Sequence, residues 1–338
     1  MILRGGARQL RSHFIGVALA LGTMSSAHAQ PTIKVTPPDV LEGEPVHVVA
    51  SGFGPGEVVT LRTTRELSAY PVGQDLYRGS ASFLADERGT VDLRTRAPLA
   101  GSSYEGADAA GLFWSMIRQQ QAPHPAPGRL SSGVVLIEAE TRGRVMTQAK
   151  VRLRPAAANV TVREVRDPGV TGVFAQGRMG GRQPAIIVLG GSEGGLFTAR
   201  WAAPILASRG YAVLGLGYFQ GDEPALSALP VNLENIPLET LERARDWLGR
   251  QPGVDASRIA VVGVSKGAEM ALVSATLFPW VVAVGAFAPT HVVWEGIPPS
   301  NQPERAAGSS WTYRGVALPY VRWSRAAEQR ADLSRRAT

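Results

Sequence analysis

An all-β domain followed by an α/β domain is the fold class this sequence predicts. Three observations carry the prediction: short strand-like runs separated by turn residues over 31–155, strands alternating with helical patterns over about 160–321, and a G-x-S-x-G segment lodged between a buried strand and a helix. With 338 residues, 44% of them hydrophobic and 19% charged, the chain is long enough for two cores of ordinary globular composition.

Residues 1–29 stand apart from both domains. Arg4, Arg8 and Arg11 precede an apolar run over 14–24 that leads into Ala27-His28-Ala29, the order of a secretory signal peptide cleaved after Ala29. The run is shorter than the ~20 residues of a spanning helix, so an exported (periplasmic or secreted) protein with no stable membrane span is expected. The formal net charge of +7 sits at the two ends: three Arg in the leader and, over 322–338, five Arg against Glu328 and Asp332, which leaves about +1 for 31–321. No basic face suited to nucleic acid remains. The chain has no cysteine, so disulfides, thiolate metal sites and a cysteine nucleophile are excluded. No cofactor and no metal are expected, and the partner expected is a small molecule, with oligomeric state left open.

Strand-like runs at 33–36, 46–50, 58–63, 80–85, 91–95, 134–139 and 144–153, punctuated by Pro-Gly, Glu-Arg-Gly and Arg-Gly turns, predict an immunoglobulin-like sandwich over 31–155. The interruption over 98–133 is too long for a turn. Its Gly111-Leu112-Phe113-Trp114-Ser115-Met116 stretch is apolar enough that it must pack either on its own sandwich or against the next domain.

After the Pro155-Ala156-Ala157-Ala158 linker the texture changes. Apolar strands are expected at 185–189, 212–216, 259–262 and 281–286, and helices at 198–208, 233–248 and 266–277. Strands apolar throughout and alternating with helices predict a parallel sheet covered on both faces.

Ile259-Ala260-Val261-Val262-Gly263-Val264-Ser265-Lys266-Gly267-Ala268-Glu269 carries the chemistry. G-x-S-x-G at a strand-to-helix turn is a nucleophile elbow and makes the second domain an α/β-hydrolase: its glycines permit the sharp turn and the close packing that project the Ser265 oxygen from the sheet edge. The helix start beside it offers an N–H and the positive end of a dipole. A second donor is expected from the loop after the 185–189 strand, Gly190-Gly191-Ser192-Glu193-Gly194-Gly195, so the oxyanion hole is read as the backbone of Lys266 with that of Gly191 or Ser192. A phosphate loop would end in Gly-Lys-Ser/Thr, which this one does not. Glu269 reads as a first-turn carboxylate complementing the helix dipole, and Lys266 as acting through its backbone N–H.

The serine needs a histidine base oriented by an acid, both following it in the chain. The one histidine downstream is His291, close behind the 281–286 strand and one strand early for the usual base. His47 falls in a sandwich strand, His124 in a proline-rich loop, and His13 and His28 in the leader. Beyond Val293 only 316–323 reads as a strand where two more should bear the acid and base. The chain is therefore expected to stop short of them or to leave its frame near the Arg-rich 322–338, which would leave 281–286 as an apolar edge and turnover weak.

Together with Tyr104-Glu105-Gly106, the 111–116 stretch, Pro289-Thr290-His291-Val292-Val293-Trp294 and Ser309-Ser310-Trp311-Thr312-Tyr313-Arg314-Gly315, the elbow makes the chain resemble the acyl-CoA thioesterase and bile-acid-CoA:amino-acid N-acyltransferase family over nearly all of 31–321. The resemblance implies cleavage of an acyl thioester through an acyl-enzyme on Ser265, with water as acceptor where the nucleophile is serine. The family's acid and histidine have no matching positions here. The competing expectations are a carboxylesterase of the dienelactone-hydrolase type and a homologue that binds or scaffolds without catalysis.

Overall fold

The computed structural model describes residues 30–68, 74–122, 133–178, 180–221, 223–298 and 305–323. The leader 1–29, His124 and 324–338 of the Arg-rich tail lie outside the described residues. No helix among the described residues is long and apolar enough to cross a membrane.

The N-terminal part contains β1 (Thr32–Thr36), β2 (Asp39–Leu41), β3 (His47–Ser51), β4 (Val58–Ser68), β5 (Gln74–Leu84), β6 (Thr90–Asp92), α1 (Gly111–Trp114), β7 (Ile117–Ala122), β8 (Val134–Thr141) and β9 (Arg144–Arg154). Two sheets form, β1-β3-β6 and β2-β9-β8-β4-β5-β7. Alternation builds the core between them: Val48 and Ala50, Val59 and Leu61, Ala81 and Phe83, and Val135, Ile137 and Ala139 point inward while their neighbours face out. The 111–116 stretch resolves onto its own sandwich, with Leu112 fully buried in that core and Phe113 and Met116 packed on it. Thr63 Oγ1 donates to the Leu112 carbonyl at 2.8 Å, which fixes the segment to β4.

Asp92 accepts from His47 Nε2 at 2.9 Å and from Arg94. Burial alone would raise its pKa, but the hydrogen bonds from Arg94 and His47 outweigh it and hold the carboxyl at about 2. A folded-state value below the unfolded one stabilises above the unfolded value and is lost as pH falls through the folded one. Asp92→Asn is therefore expected to shrink the melting-temperature loss between pH 4 and pH 2, measured by thermal melts across that window.

The C-terminal part contains β10 (Val160–Asp167), β11 (Val170–Gly177), β12 (Gln183–Leu189), α2 (Phe197–Ala207), β13 (Ala212–Gly217), β14 (Ile236–Pro237), α3 (Glu239–Gly249), β15 (Val254–Val264), α4 (Lys266–Leu277), β16 (Val281–Phe287), β17 (Trp311–Tyr313) and β18 (Val316–Ala317). Its main sheet runs β10-β11-β13-β12-β15-β16, parallel from β13 to β16 and antiparallel through β10 and β11. One face is covered by α2 through Ala199 and Ala203, the other by α3 and α4 through Leu241, Trp247 and Met270. The chain leaves β12 for β13 on one side and returns to β15 on the other, so the strand order reverses at β12. The crevice at the carboxyl ends of β12 and β15 is where such sheets bind ligands.

Three expectations need correction. β10 and β11 were not anticipated: Val160 to Gly177 is a hairpin across Asp167-Pro168-Gly169-Val170, so the linker leads into the main sheet sooner than the alternation suggested. The expected helix over 233–248 begins only at Glu239, because Pro237 holds the residue before it extended and Ile236 pairs with Trp311. The expected strand over 316–323 is only two residues long, although Val321 N also bonds the Val293 carbonyl at 2.8 Å. Among the described residues β16 ends the main sheet, with Val282 and Phe287 both exposed.

Candidate active site

Ser265 joins the end of β15 to the start of α4 with φ +53° and ψ −115°, a backbone conformation that costs a non-glycine residue energy and persists only where surroundings impose it. The surroundings are close-packed backbone. A Cβ on Gly263 would lie 2.1 Å from the Gly267 carbonyl oxygen, and one on Gly267 would lie 2.2 Å from that of Gly190. The Ser265 N–H donates to the Phe287 carbonyl at 2.9 Å and its carbonyl accepts from Glu269 N at 3.1 Å, so the turn is pinned to β16 and to its own helix. The side chain is left exposed, and its hydroxyl has no hydrogen-bond partner among the described residues.

The glycine loop reaches this serine. A Cβ built on Gly191 would sit 3.2 Å from Ser265 Cβ, so the loop backbone lies against the nucleophile position. The Gly191 N–H is engaged: it donates to Glu193 Oε1 at 2.9 Å, and that oxygen also accepts from Thr198 Oγ1 at 2.6 Å. No acceptor among the described residues meets the backbone N–H of Ser192 or of Lys266. Of the three expected donors, only Gly191 has an acceptor among the described residues, a carboxylate of its own loop. A charged residue inside a run of glycines was the available signal for Glu193.

The side chains of Lys266 and Glu269 have roles beyond the expected ones. Lys266 Nζ is buried, lying 2.7 Å from Ser310 Oγ, 3.1 Å from the Glu295 carbonyl and 3.3 Å from the Glu269 carboxylate. Burial lowers its pKa, and Glu269 opposes the shift. Glu269 is itself only 1% exposed and accepts from Trp311 Nε1 at 2.8 Å and from Trp294 N at 3.1 Å. The pair thus ties the helix behind Ser265 to two segments 25 to 44 residues further along the chain.

Two family profiles match, the acyl-CoA thioester hydrolase/BAAT N-terminal region over residues 43–173 and the BAAT/acyl-CoA thioester hydrolase C-terminal region over 236–297. The chain belongs to this family. It is 33% identical to rat acyl-coenzyme A amino acid N-acyltransferase 2 over 73% of its own length and 59% of that protein. Mouse acyl-coenzyme A thioesterase 6 matches at 33% over 68% and 53%, and mouse acyl-coenzyme A thioesterase 1 at 32% over 82% and 62%. The chain therefore spans a little over half the length of these relatives. Among solved structures, a dienelactone-hydrolase-like promiscuous phosphotriesterase from metagenomic libraries is 24% identical over 38% of this chain and 59% of that one, with a TM-score of 0.32.

In this chain His291 lies on the loop after β16, exposed and without a hydrogen bond among the described residues, so nothing joins it to Ser265 there. The His–carboxylate pair that the described residues do contain, His47 with Asp92, sits in the N-terminal sandwich and serves its fold.

Proposed function

We propose that this protein is an exported serine hydrolase of the acyl-CoA thioesterase type, in which an immunoglobulin-like sandwich precedes an α/β-hydrolase domain that acts on an acyl thioester or ester through an acyl-Ser265 intermediate. The observation that carries the reading is the strained elbow at Ser265 lying against Gly191, with no acceptor among the described residues on the N–H groups of Lys266 and Ser192. Ser265 Oγ attacks the acyl carbon as its proton passes to a base, which later returns it to the leaving thiolate. The carbonyl oxygen takes up the negative charge and is stabilised by those two donors. Collapse breaks the acyl–sulfur bond, and the thiolate leaves and is protonated. Water then attacks the serine ester, which is a poorer acceptor for amines than a thioester, and releases the acid. His291 is the base candidate. With no acid–histidine pair joined to Ser265 among the described residues, turnover is expected to be slow, since triad members act as a unit.

A second reading rests on the leader: a secreted protein meets little coenzyme A, which favours oxygen esters and a carboxylesterase of the dienelactone-hydrolase type. Thiol release from a medium-chain acyl-CoA, hydrolysis of p-nitrophenyl esters and mass mapping of a fluorophosphonate adduct on the purified chain separate the two. An adduct on the Ser265 peptide with thiol release supports the thioesterase. An adduct with ester cleavage alone supports the carboxylesterase. A folded protein showing neither adduct nor turnover overturns both and leaves a binding role.

A further inference from the structure

We propose that Tyr218 is a positioning residue whose hydroxyl sets the direction of the two peptide groups that carry the Gly191 and Ser192 N–H donors; the inference rests on the acyl-transfer reading of Ser265. The Tyr218 hydroxyl shares its single proton between the Gly190 carbonyl at 2.7 Å and the Gly191 carbonyl at 3.1 Å. These carbonyls belong to the peptides 190–191 and 191–192, and the opposite ends of those same planes are the N–H groups of Gly191 and Ser192. In a trans peptide C=O and N–H point in opposite directions, so a donor that holds both carbonyls toward the sheet turns both N–H groups away from it.

The loop restrains the Gly191 peptides in part, through Glu193 Oε1 on the Gly191 N–H and the Gly194 N–H on the Gly191 carbonyl at 3.3 Å, but its glycines at 190, 191, 194 and 195 leave the Gly190 carbonyl to be held from outside. Tyr218 holds it, from a fixed place. It follows β13 directly, is 3% exposed, and packs its ring 5.2 Å from Phe219 and 5.8 Å from Trp311. Trp311 in turn donates to Glu269, the partner of Lys266. The two walls of the proposed oxyanion hole are thus braced against one buried aromatic pair, the glycine loop through Tyr218 and the elbow helix through Trp311. Burial, with the Glu193 and Glu269 carboxylates nearby, holds the Tyr218 phenol well above its ordinary pKa, so its proton stays available to the carbonyls.

Tyr218→Phe keeps the ring and removes the hydroxyl. Two readouts are compared with the parent chain: amide hydrogen exchange of the peptide spanning 187–197, and kcat and KM for acyl-CoA with the rate of fluorophosphonate labelling at Ser265. The expected result is at least tenfold faster exchange in that peptide alone, with kcat and labelling rate at least tenfold lower and KM within twofold. Unchanged loop exchange in Tyr218→Phe overturns the proposal, as does a rise in KM with kcat intact. A Tyr218→Phe chain that no longer melts cooperatively also overturns it, because the hydroxyl then serves the fold as a whole. If the parent neither labels nor turns over, the acyl-transfer reading fails, and the exchange comparison alone decides whether Tyr218 orients the loop.

Discussion

Glu269→Ala is expected to lower the unfolding free energy by about 3–5 kcal/mol, the cost of leaving one member of a buried ion pair without its partner. The Lys266 ammonium would keep Ser310 Oγ and the Glu295 carbonyl but lose the only opposite charge within hydrogen-bond reach among the described residues. Trp311 Nε1 and Trp294 N would lose their acceptor in the same step. Lys266→Met should cost a similar amount, because it strands the carboxylate. The double change Lys266→Met/Glu269→Leu should cost much less than the sum of the two, since it removes both charges and refills the space. Urea titration of the four proteins gives the coupling. Single substitutions that each cost less than about 1 kcal/mol would show that the pair is solvated. The alkaline limb supplies a second check. Burial holds the folded-state pKa of Lys266 below its ordinary value, against the pull of Glu269, so between the folded and unfolded values the unfolded chain binds the extra proton. Stability contributed at this site therefore rises with pH through that window and is flat below it. Lys266→Met should lack this rise when urea midpoints at pH 7 and pH 10 are compared.

The contrast between the elbow and this pair shows what the sequence could carry. Ser265 and the Gly190 loop were legible because their signals are local: two glycines two residues either side of a serine, and a glycine run directly after an apolar strand. Spacing along α4 shows Lys266 and Glu269 three residues apart, which on an exposed helix is an ordinary surface pair. Their burial comes from Ser310, Trp311 and Trp294, and no periodicity announces a contact between a helix and loops so far along the chain. The same limit hid the capture of the Gly191 N–H by Glu193, which depends on a rotamer. The β10–β11 hairpin was a different case. Two β-rich runs meet at Asp167-Pro168-Gly169, a local signal that the expectation of strand–helix alternation passed over. At Leu233 the apolar spacing suggested a helix six residues too early, and the decisive fact was Pro237 together with a pairing to Trp311 that only the tertiary fold supplies.

Gly267→Ala should separate a true nucleophile elbow from an ordinary tight junction of strand and helix. Its new Cβ would lie 2.2 Å from the Gly190 carbonyl oxygen, 2.6 Å from that of Leu189 and 2.8 Å from Leu189 Cβ. The first two are backbone atoms at the end of a central strand and cannot swing aside as a side-chain tip would. Relief requires α4 and the glycine loop to move apart, and Ser265 and Gly191 are the groups carried on those two elements. The stability cost is expected at about 3 kcal/mol, the upper part of the range for overpacking. The cost in reactivity is expected to be larger. A displacement on the order of 1 Å between a nucleophile and the donors meant for its oxyanion lowers the rate about 10²-fold, so fluorophosphonate labelling of Ser265 should slow by about that factor at temperatures where the variant is still folded. Gly249→Ala is the matched control. It ends α3, and its Cβ would meet only Ala256 Cβ at 3.5 Å, an ordinary contact. Replacing glycine there reduces the freedom of the unfolded chain and should leave stability unchanged or raise it by less than about 1 kcal/mol, with labelling unaffected. A folded Gly267→Ala chain that labels at the parent rate would mean that the close approach of Gly190 to the elbow does not position Ser265. The oxyanion hole would then have to be sought elsewhere than in the glycine loop.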